Sequence, residues 1–303
     1  MTMVIGSTAG DGTDLYARLI ARHMSRHIPG RPQIVAINTP GANGLLAANR
    51  LFNLDSKDGL SIGTFSRYAV YEPLWNNPSA RFVPERFNWI GNVSVDVSVC
   101  VTWHAAGAKT LSDLMTRELK MGTTNASYIN ILNNVFGAKL HAIKGYPGGN
   151  EVNLALERGE VDGRCAISWS ALTSTRSEWL RDNKIDLLIQ FTHRKHPELR
   201  NVPSATDLVV TDSQRQILNL ILMSQQLARV IVAPPDVPKD RVNALRKAFD
   251  DTMKDPDFIS AAAGFGAPVD PVPGIEIQKL VEDMYRNPPD VIKTFYEAVG
   301  GKL

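Results

Sequence analysis

The chain has 303 residues, 44% of them hydrophobic, with 33 Lys and Arg against 31 Asp and Glu for a net charge of +2. That length fits about two domains and that apolar content supplies a packed core, while a small charge dispersed along the chain excludes a nucleic-acid surface or a polybasic membrane anchor. No apolar run approaches the ~18 residues a membrane span needs, and no charged n-region followed by an apolar h-region opens the sequence, so the chain reads as soluble.

From Thr2 to Ser66 one pattern repeats: an apolar run, a glycine or serine bend, then a helix. TMVIGST precedes DLYARLIARHMSRHI, where Tyr16, Leu19, Ile20, His23, Met24 and His27 fall at helical spacing; QIVAINT precedes PGANGLLAANRLF; LSIGTFS follows. Strand, helix, strand, helix, strand in that order predicts a parallel sheet with right-handed crossovers. Ligands bind at the carboxyl ends of such strands, and all three bends fall there. Next, NWIGNVSVDVSVCVTWH reads as a long strand or a strand pair, and KTLSDLMTREL as a helix opening near Thr110 or Ser112. A second round follows: LKMGTTNASY as strand and bend, a helix through Leu132 to Phe136, LHAIKGYPGGN as strand and bend, EVNLALERGE as helix, and VDGRCAISWS as strand and bend. ARVIVAPPDVP returns as a strand with a proline stop, before an amphipathic helix from about Lys239 to Met253 and a helical region around 275–298. The restated pattern predicts two α/β units, 1–98 with 226–303 and 99–225, with the chain crossing near 95–102 and back near 224–232. A cleft between two such lobes is the natural place for a small molecule.

The first bend, IGSTAGDGTD, sets Gly10 and Gly12 before a helix whose N-terminal N–H groups and dipole stabilise an anion without a basic side chain. It lacks the lysine and hydroxyl of GxxxxGK[ST] and the spacing of GxGxxG, which argues against a nucleotide. Taken alone it reads as a tight turn capped by Thr13 or Asp14. The second bend, NTPGANG, raises the anion reading: Pro40 sets the turn, Gly41, Ala42 and Asn43 lead into another helix, and two helix N-termini aimed at one point clamp a carboxylate. Asp11 opposes this, because a carboxylate in the same cavity repels an anion; it points outward or meets a cationic part of the ligand.

Arg67 and Tyr68 beyond the third strand, and Arg164 in the last strand of the second round, are candidates for carboxylate contact, with Arg67 the better placed. Thr123, Thr124, Asn125 and Ser127 offer neutral hydrogen bonds, against which stand turn formation and capping; Tyr146 and Trp169 offer apolar walls with polar tips, against which stands a core role. Cys100 and Cys165 have neither zinc-site nor CxxC spacing, so buried free thiols are the favoured reading and a disulfide the alternative. Signs of catalysis are sparse: Ser168 lacks the glycines of a nucleophile elbow, and His104, His141, His193 and His196 share no ligand motif with carboxylates.

AGDGTDLYARLIARHM, NTPGANGLLAANRLF, DGLSIGTFS, GYPGGNEVNLALERGEVDG and VAPPDVPKDRVNALRKAFDDTMKDPDF, in order over nearly the whole chain, resemble the solute-binding proteins of tripartite tricarboxylate transporters, the Bug family. The resemblance implies an α/β, two-lobed periplasmic binding protein fold of type II, each lobe a mainly parallel sheet flanked by helices, with a two-strand hinge. It implies capture of a small organic acid in the interlobe cleft, delivery to integral-membrane transporter subunits, a periplasmic location and a monomer, and it calls for no cofactor or metal. The rival is an enzyme on the same scaffold, a hydrolase or transferase using Asp11 as base. Carried over residue by residue, the carboxylate falls to the backbone of Thr8, Ala9, Gly10, Asp11 and Thr13 and of Gly41, Ala42 and Asn43, often through ordered water, with Ser66 and Arg67 adjoining. Thr123, Thr124, Asn125, Ser127, Tyr146, Pro147, Ser168 and Trp169 would shape specificity. The family commonly has two adjacent glycines where this chain has Gly10 and Asp11, so an altered clamp is expected; an acidic residue often seen near the end of the second lobe's last strand is replaced around Ala166, which weakens the case for an amino-acid ligand. An export signal is expected of such a protein, and none is visible ahead of the first strand.

Overall fold

The computed structural model describes the chain apart from Asp11, Pro147, Gly148, Lys302 and Leu303, and apart from the side chains of Asn43 and Ser174. The strands, in chain order, are β1 (Thr2–Ile5), β2 (Val35–Asn38), β3 (Ser61–Thr64), β4 (Asn88–Asn92), β5 (Ser98–Trp103), β6 (Glu118–Gly122), β7 (Lys139–Ile143), β8 (Gly163–Ser168), β9 (Ile185–Phe191), β10 (Val230–Ala233) and β11 (Val272–Pro273). They form two sheets, in the orders β11-β4-β10-β3-β1-β2 and β7-β6-β8-β5-β9. The chain divides into two compact units: Met1–Val95 with Met223–Asn287, and Asp96–Leu222 with the residues from Pro288 on.

In the first unit β1 pairs in parallel with both β2 and β3, Thr2 standing opposite Val35 on one side and Ser61 on the other. Alternate residues of β1 turn to one face, where Met3 and Ile5 join Ile62, Ile90 and Ile231 in a core closed by Ile20 and Met24 of helix Gly12–Met24, Phe249 of helix Lys239–Met253 and Phe258 of helix Pro256–Gly264. The buried apolar positions of the first of these helices, Tyr16, Ala17, Leu19, Ile20, Ala21 and Met24, keep the period of 3.6 that its sequence announces. Helix Leu45–Asn53 packs against β3 through Leu51. In the second unit β6 is parallel to β7 and β8. Val99, Val101, Leu156, Ile167, Leu172 and the indoles of Trp169 and Trp179 form its core.

Both sheets are mixed rather than mainly parallel. β10 runs antiparallel to β3 and β4, β11 runs antiparallel to β4, and β5 runs antiparallel to β8 and β9. An apolar run reads the same in either direction, so strand polarity has to come from the connections. The cysteines depart from the free-thiol expectation: Cys100 of β5 and Cys165 of β8 form a disulfide. A register shift between Val99 and Val101 brings them side by side on neighbouring strands, a juxtaposition invisible at a separation of 65 residues.

The last helix also departs from expectation. Asn287-Pro288-Pro289 breaks the C-terminal helical region into Gly274–Tyr285 and Pro289–Ala298, and the second piece packs with the second unit, not the first. Asn130 and Asn134 of helix Ser127–Phe136 donate their side-chain amides to the carbonyls of Val299 (2.7 Å) and Ala298 (3.1 Å), and Ile292, Phe295 and Ala298 are buried.

Candidate functional site

The parallel strands of the first unit deliver their three bends to one edge of its sheet. Gly6 N–H donates to Thr64 C=O at 2.8 Å and Thr39 N–H to Ile5 C=O at 2.7 Å, so each bend leaves a strand still bonded to its neighbour. The second bend then closes on the third. Gly44 has φ +88°, and a Cβ there would stand 2.7 Å from the Ser66 nitrogen; only glycine admits both the conformation and the approach. Gly41, also at positive φ, accepts from Gly44 N–H at 3.0 Å, and Ala42 itself adopts φ +44°. Ser66 caps the short helix Arg67–Tyr71, its Oγ accepting from Tyr68 N–H, and the Arg67 guanidinium lies 5.2 Å from the centroid of the Tyr68 ring.

The first bend is organised by Asp14. Its carboxylate accepts from Gly10 N–H at 2.8 Å, from Arg18 Nε at 2.9 Å and from Asn38 Nδ2 at 2.9 Å, while Asn38 Nδ2 also reaches Ser7 C=O. Burial pushes the Asp14 carboxyl up, but the hydrogen bonds from Arg18, Gly10 and Asn38 together outweigh it and hold the group below the usual carboxylate range. Gly10 N–H, one of the donors expected to meet an anion, is thus already engaged. Thr8, Ala9 and Gly10 are exposed, and Asp11 lies outside the described residues.

A residue that sequence reasoning passed over stands at this bend. Arg229 directly precedes β10, and because β10 runs antiparallel to β3, its start lies beside the carboxyl end of that strand. The guanidinium stacks on Tyr16, 5.1 Å from the ring centroid, and Nη2 sits 3.5 Å from where a Cβ on Gly12 would be, at the start of helix Gly12–Met24. Nη1 donates to Ala228 C=O, and Nε is buried with no hydrogen bond. Asp14 and Arg18 neutralise one another, so Arg229 and the helix dipole leave the bend with an uncompensated positive charge among the described residues. The signal available in the sequence was an arginine at the amino end of a strand; its meaning depended on that strand's direction.

In the second unit β6, β7 and β8 likewise bring their bends to one edge. Thr123 Oγ1 donates to Asn125 C=O and accepts from Asn125 N–H, and Asn125 Oδ1 accepts from Ser127 N–H: the cluster forms the turn that leads into helix Ser127–Phe136. Thr124 is exposed. Tyr146 packs on the core, and Pro147 lies outside the described residues. Trp169 is a core residue, 8% exposed, its Nε1–H donating to Glu198 at 2.6 Å. Ser168 Oγ caps the helix that follows by accepting from Ala171 N–H and meets Ser170 Oγ, which donates to buried Asp96 at 3.3 Å. Arg164 lies under the same edge, 9% exposed. Among the described residues no group of three or more His, Cys, Asp or Glu is placed to hold a metal ion, and no helix is long and apolar enough to cross a membrane.

No family model matches the chain. A UPF0065 protein of the TAR-I ttuE-ttuC' intergenic region of Agrobacterium vitis is 23% identical over 284 residues, covering 88% of this chain and 75% of that protein. Among solved structures, a TctC solute-binding protein from Polaromonas superposes with a TM-score of 0.73 at 15% identity, covering 98% of this chain and 97% of the other. The periplasmic binding protein BugD gives 0.68 at 20% identity, covering 100% and 98%, and an R. palustris protein with adipate gives 0.71 at 18% identity, covering 99% and 97%. The fold is therefore the two-lobed one of periplasmic binding proteins, shared with a TctC solute-binding protein and with the periplasmic binding protein BugD.

Proposed function

We propose that this chain is a solute-binding receptor of the TctC and Bug type, which captures a small carboxylate and hands it to a membrane transporter. The observation that carries this reading is the positive edge of the first unit, where three strand-end bends converge and the Arg229 guanidinium stands at the start of helix Gly12–Met24 with no carboxylate opposing it among the described residues. A helix N-terminus and a guanidinium together hold a carboxylate by charge and by directed N–H groups. The R. palustris neighbour carries adipate, a ligand of the same class. The disulfide supports an oxidising compartment, hence the periplasm. We read the receptor as a monomer, with Thr8, Ala9, Gly10, Asp11, Thr13, Gly41, Ala42, Asn43, Ser66 and Arg67 around the first carboxylate.

A thermal-shift panel of mono-, di- and tricarboxylates, aromatic acids and amino acids tests this. A ligand at about 100 times its Kd adds ~2.7 kcal/mol of stability, an upward shift of a few degrees. Arg229→Gln should remove most of that shift while leaving the ligand-free melting temperature within a degree or two; a well-folded sample that no carboxylate stabilises at millimolar concentration overturns the reading.

A further inference from the structure

We propose that the second unit carries a site for a primary ammonium group, in a cleft remote from its strand-end bends, and that this site takes a small organic amine. The cleft opens between three helices of that unit, Ser127–Phe136, Asp212–Met223 and Pro289–Ala298, and has a volume of about 430 Å³. Small-molecule sites begin at roughly 300 Å³. Helix Ser127–Phe136 leaves the carboxyl edge of the sheet after β6, and its far end is fixed beside the start of β7. There Asn133 Nδ2 donates to Leu140 C=O at 2.8 Å, and Leu140 N–H donates to Asn133 Oδ1 at 2.9 Å. The cleft, whose lining starts at Asn134, therefore lies at the amino edge of the sheet, opposite the bends.

Val135, Ile217 and Ala298 give the cleft an apolar lining. Among the described residues Glu297 is its one charged side chain, and that carboxylate makes neither an ion pair nor a hydrogen bond. The neighbouring cations do not serve it: Arg215 lies 3.9 Å from Asp212, and Lys293, one turn before Glu297, is exposed and makes no ion pair. Two further acceptors are unfilled. Asn134 spends Nδ2 on the carbonyls of Glu297 and Ala298, at 3.4 and 3.1 Å, which leaves Oδ1 without a donor, and Ser213 Oγ has no partner among the described residues. Gln214 differs, since Nε2 donates to Val135 C=O while Oε1 accepts from the N–H groups of Val210 and Thr211. An ammonium has three N–H donors and no acceptor, which matches three open acceptors around one cleft. The backbone adds charge of the same sign. Helices Ser127–Phe136 and Pro289–Ala298 both bring their last turns, the negative ends of their dipoles, to this place. Helix Asp212–Met223 brings its positive end, but Asp212 stands in its first turn and offsets it.

Amide NMR of the full chain, titrated with n-butylammonium, reads the site directly. The signals of Asn134, Ser213, Thr294 and Ala298 should shift saturably with a Kd of about 1–10 mM, the range open to so small a ligand. n-Butanol, neutral and of equal length, and tetramethylammonium, a cation without N–H groups, should each bind at least about 5-fold more weakly. Glu297→Gln should weaken butylammonium by about 5- to 10-fold and leave butanol unchanged, and Ser213→Ala should weaken butylammonium by about 2-fold. The proposal fails if those amides show no saturable shift by about 100 mM, if butanol or tetramethylammonium matches butylammonium, or if Glu297→Gln binds butylammonium as the wild type does. Should Glu297→Gln not fold, the wild-type comparison of the three probes decides.

Discussion

Asp14 gathers the Gly10 N–H, the Arg18 guanidinium and the Asn38 amide around one carboxylate, and the first bend depends on its being ionised. Its folded pKa is depressed, so its contribution is fully present above the ordinary carboxylate value of about 3.9 and is lost as pH falls from there through the lower folded value. Denaturant melts should therefore show the wild type losing more stability than Asp14→Asn between pH 5 and about pH 3. At neutral pH Asp14→Asn should cost about 2 kcal/mol, because its amide cannot accept from all three donors and two of them face a buried group. The sequence showed Asp14 as a first-turn acid, an assignment local enough to read from spacing. Arg229 was beyond that reach, since its place at the bend follows from the antiparallel run of β10. For Thr123, Asn125 and Ser127 the residue types allowed either ligand contact or capping, and the geometry spends their hydrogen bonds on the turn itself.

At the scale of elements, the bends are held by backbone contact rather than by long side chains. Gly44 is the tightest case: Gly44→Ala forces both an unfavourable φ and a clash with the Ser66 backbone. It should cost about 1–3 kcal/mol, and in carboxylate titrations it should weaken binding by pushing the second bend off the third, whereas a change confined to stability would leave affinity intact. The elements that carry these bends were the legible ones. β1, β2, β3, β6, β7 and β8 and the helix Lys239–Met253 announce themselves by apolar runs, glycine stops and a 3.6-residue period. Helix Leu111–Thr116 was legible too, with its start open between Thr110 and Ser112; the capping box of Thr110 with Asp113 fixes it at Thr110. What the pattern hid was direction: β10 runs antiparallel to β3 and β4, and β5 to β8 and β9, in sheets expected to be mainly parallel.

At the scale of the whole molecule, long-range closure decides what local pattern cannot. The Cys100–Cys165 bond closes a 65-residue separation that holds β6, β7 and their helices within the loop. Replacing both cysteines by alanine should lower the stability of the second unit by about 4 kcal/mol through the loop-closure entropy of its unfolded state; chemical denaturation of the oxidised wild type against the double variant measures it, and an unchanged midpoint would refute it. Pairing of this kind is settled by the register of two strands, not by cysteine spacing. The same holds for the last helix, which the chain sends back to the second unit after completing the first. A gene fragment stopping at Asn287 would still encode every strand of both sheets, yet it would strip helix Ser127–Phe136 of its cover and leave the amides of Asn130 and Asn134 without their carbonyls. A chimera that exchanges binding halves between relatives must therefore graft two separate pieces of chain, the middle and the tail, because the middle transplanted alone would arrive with an apolar flank open to water.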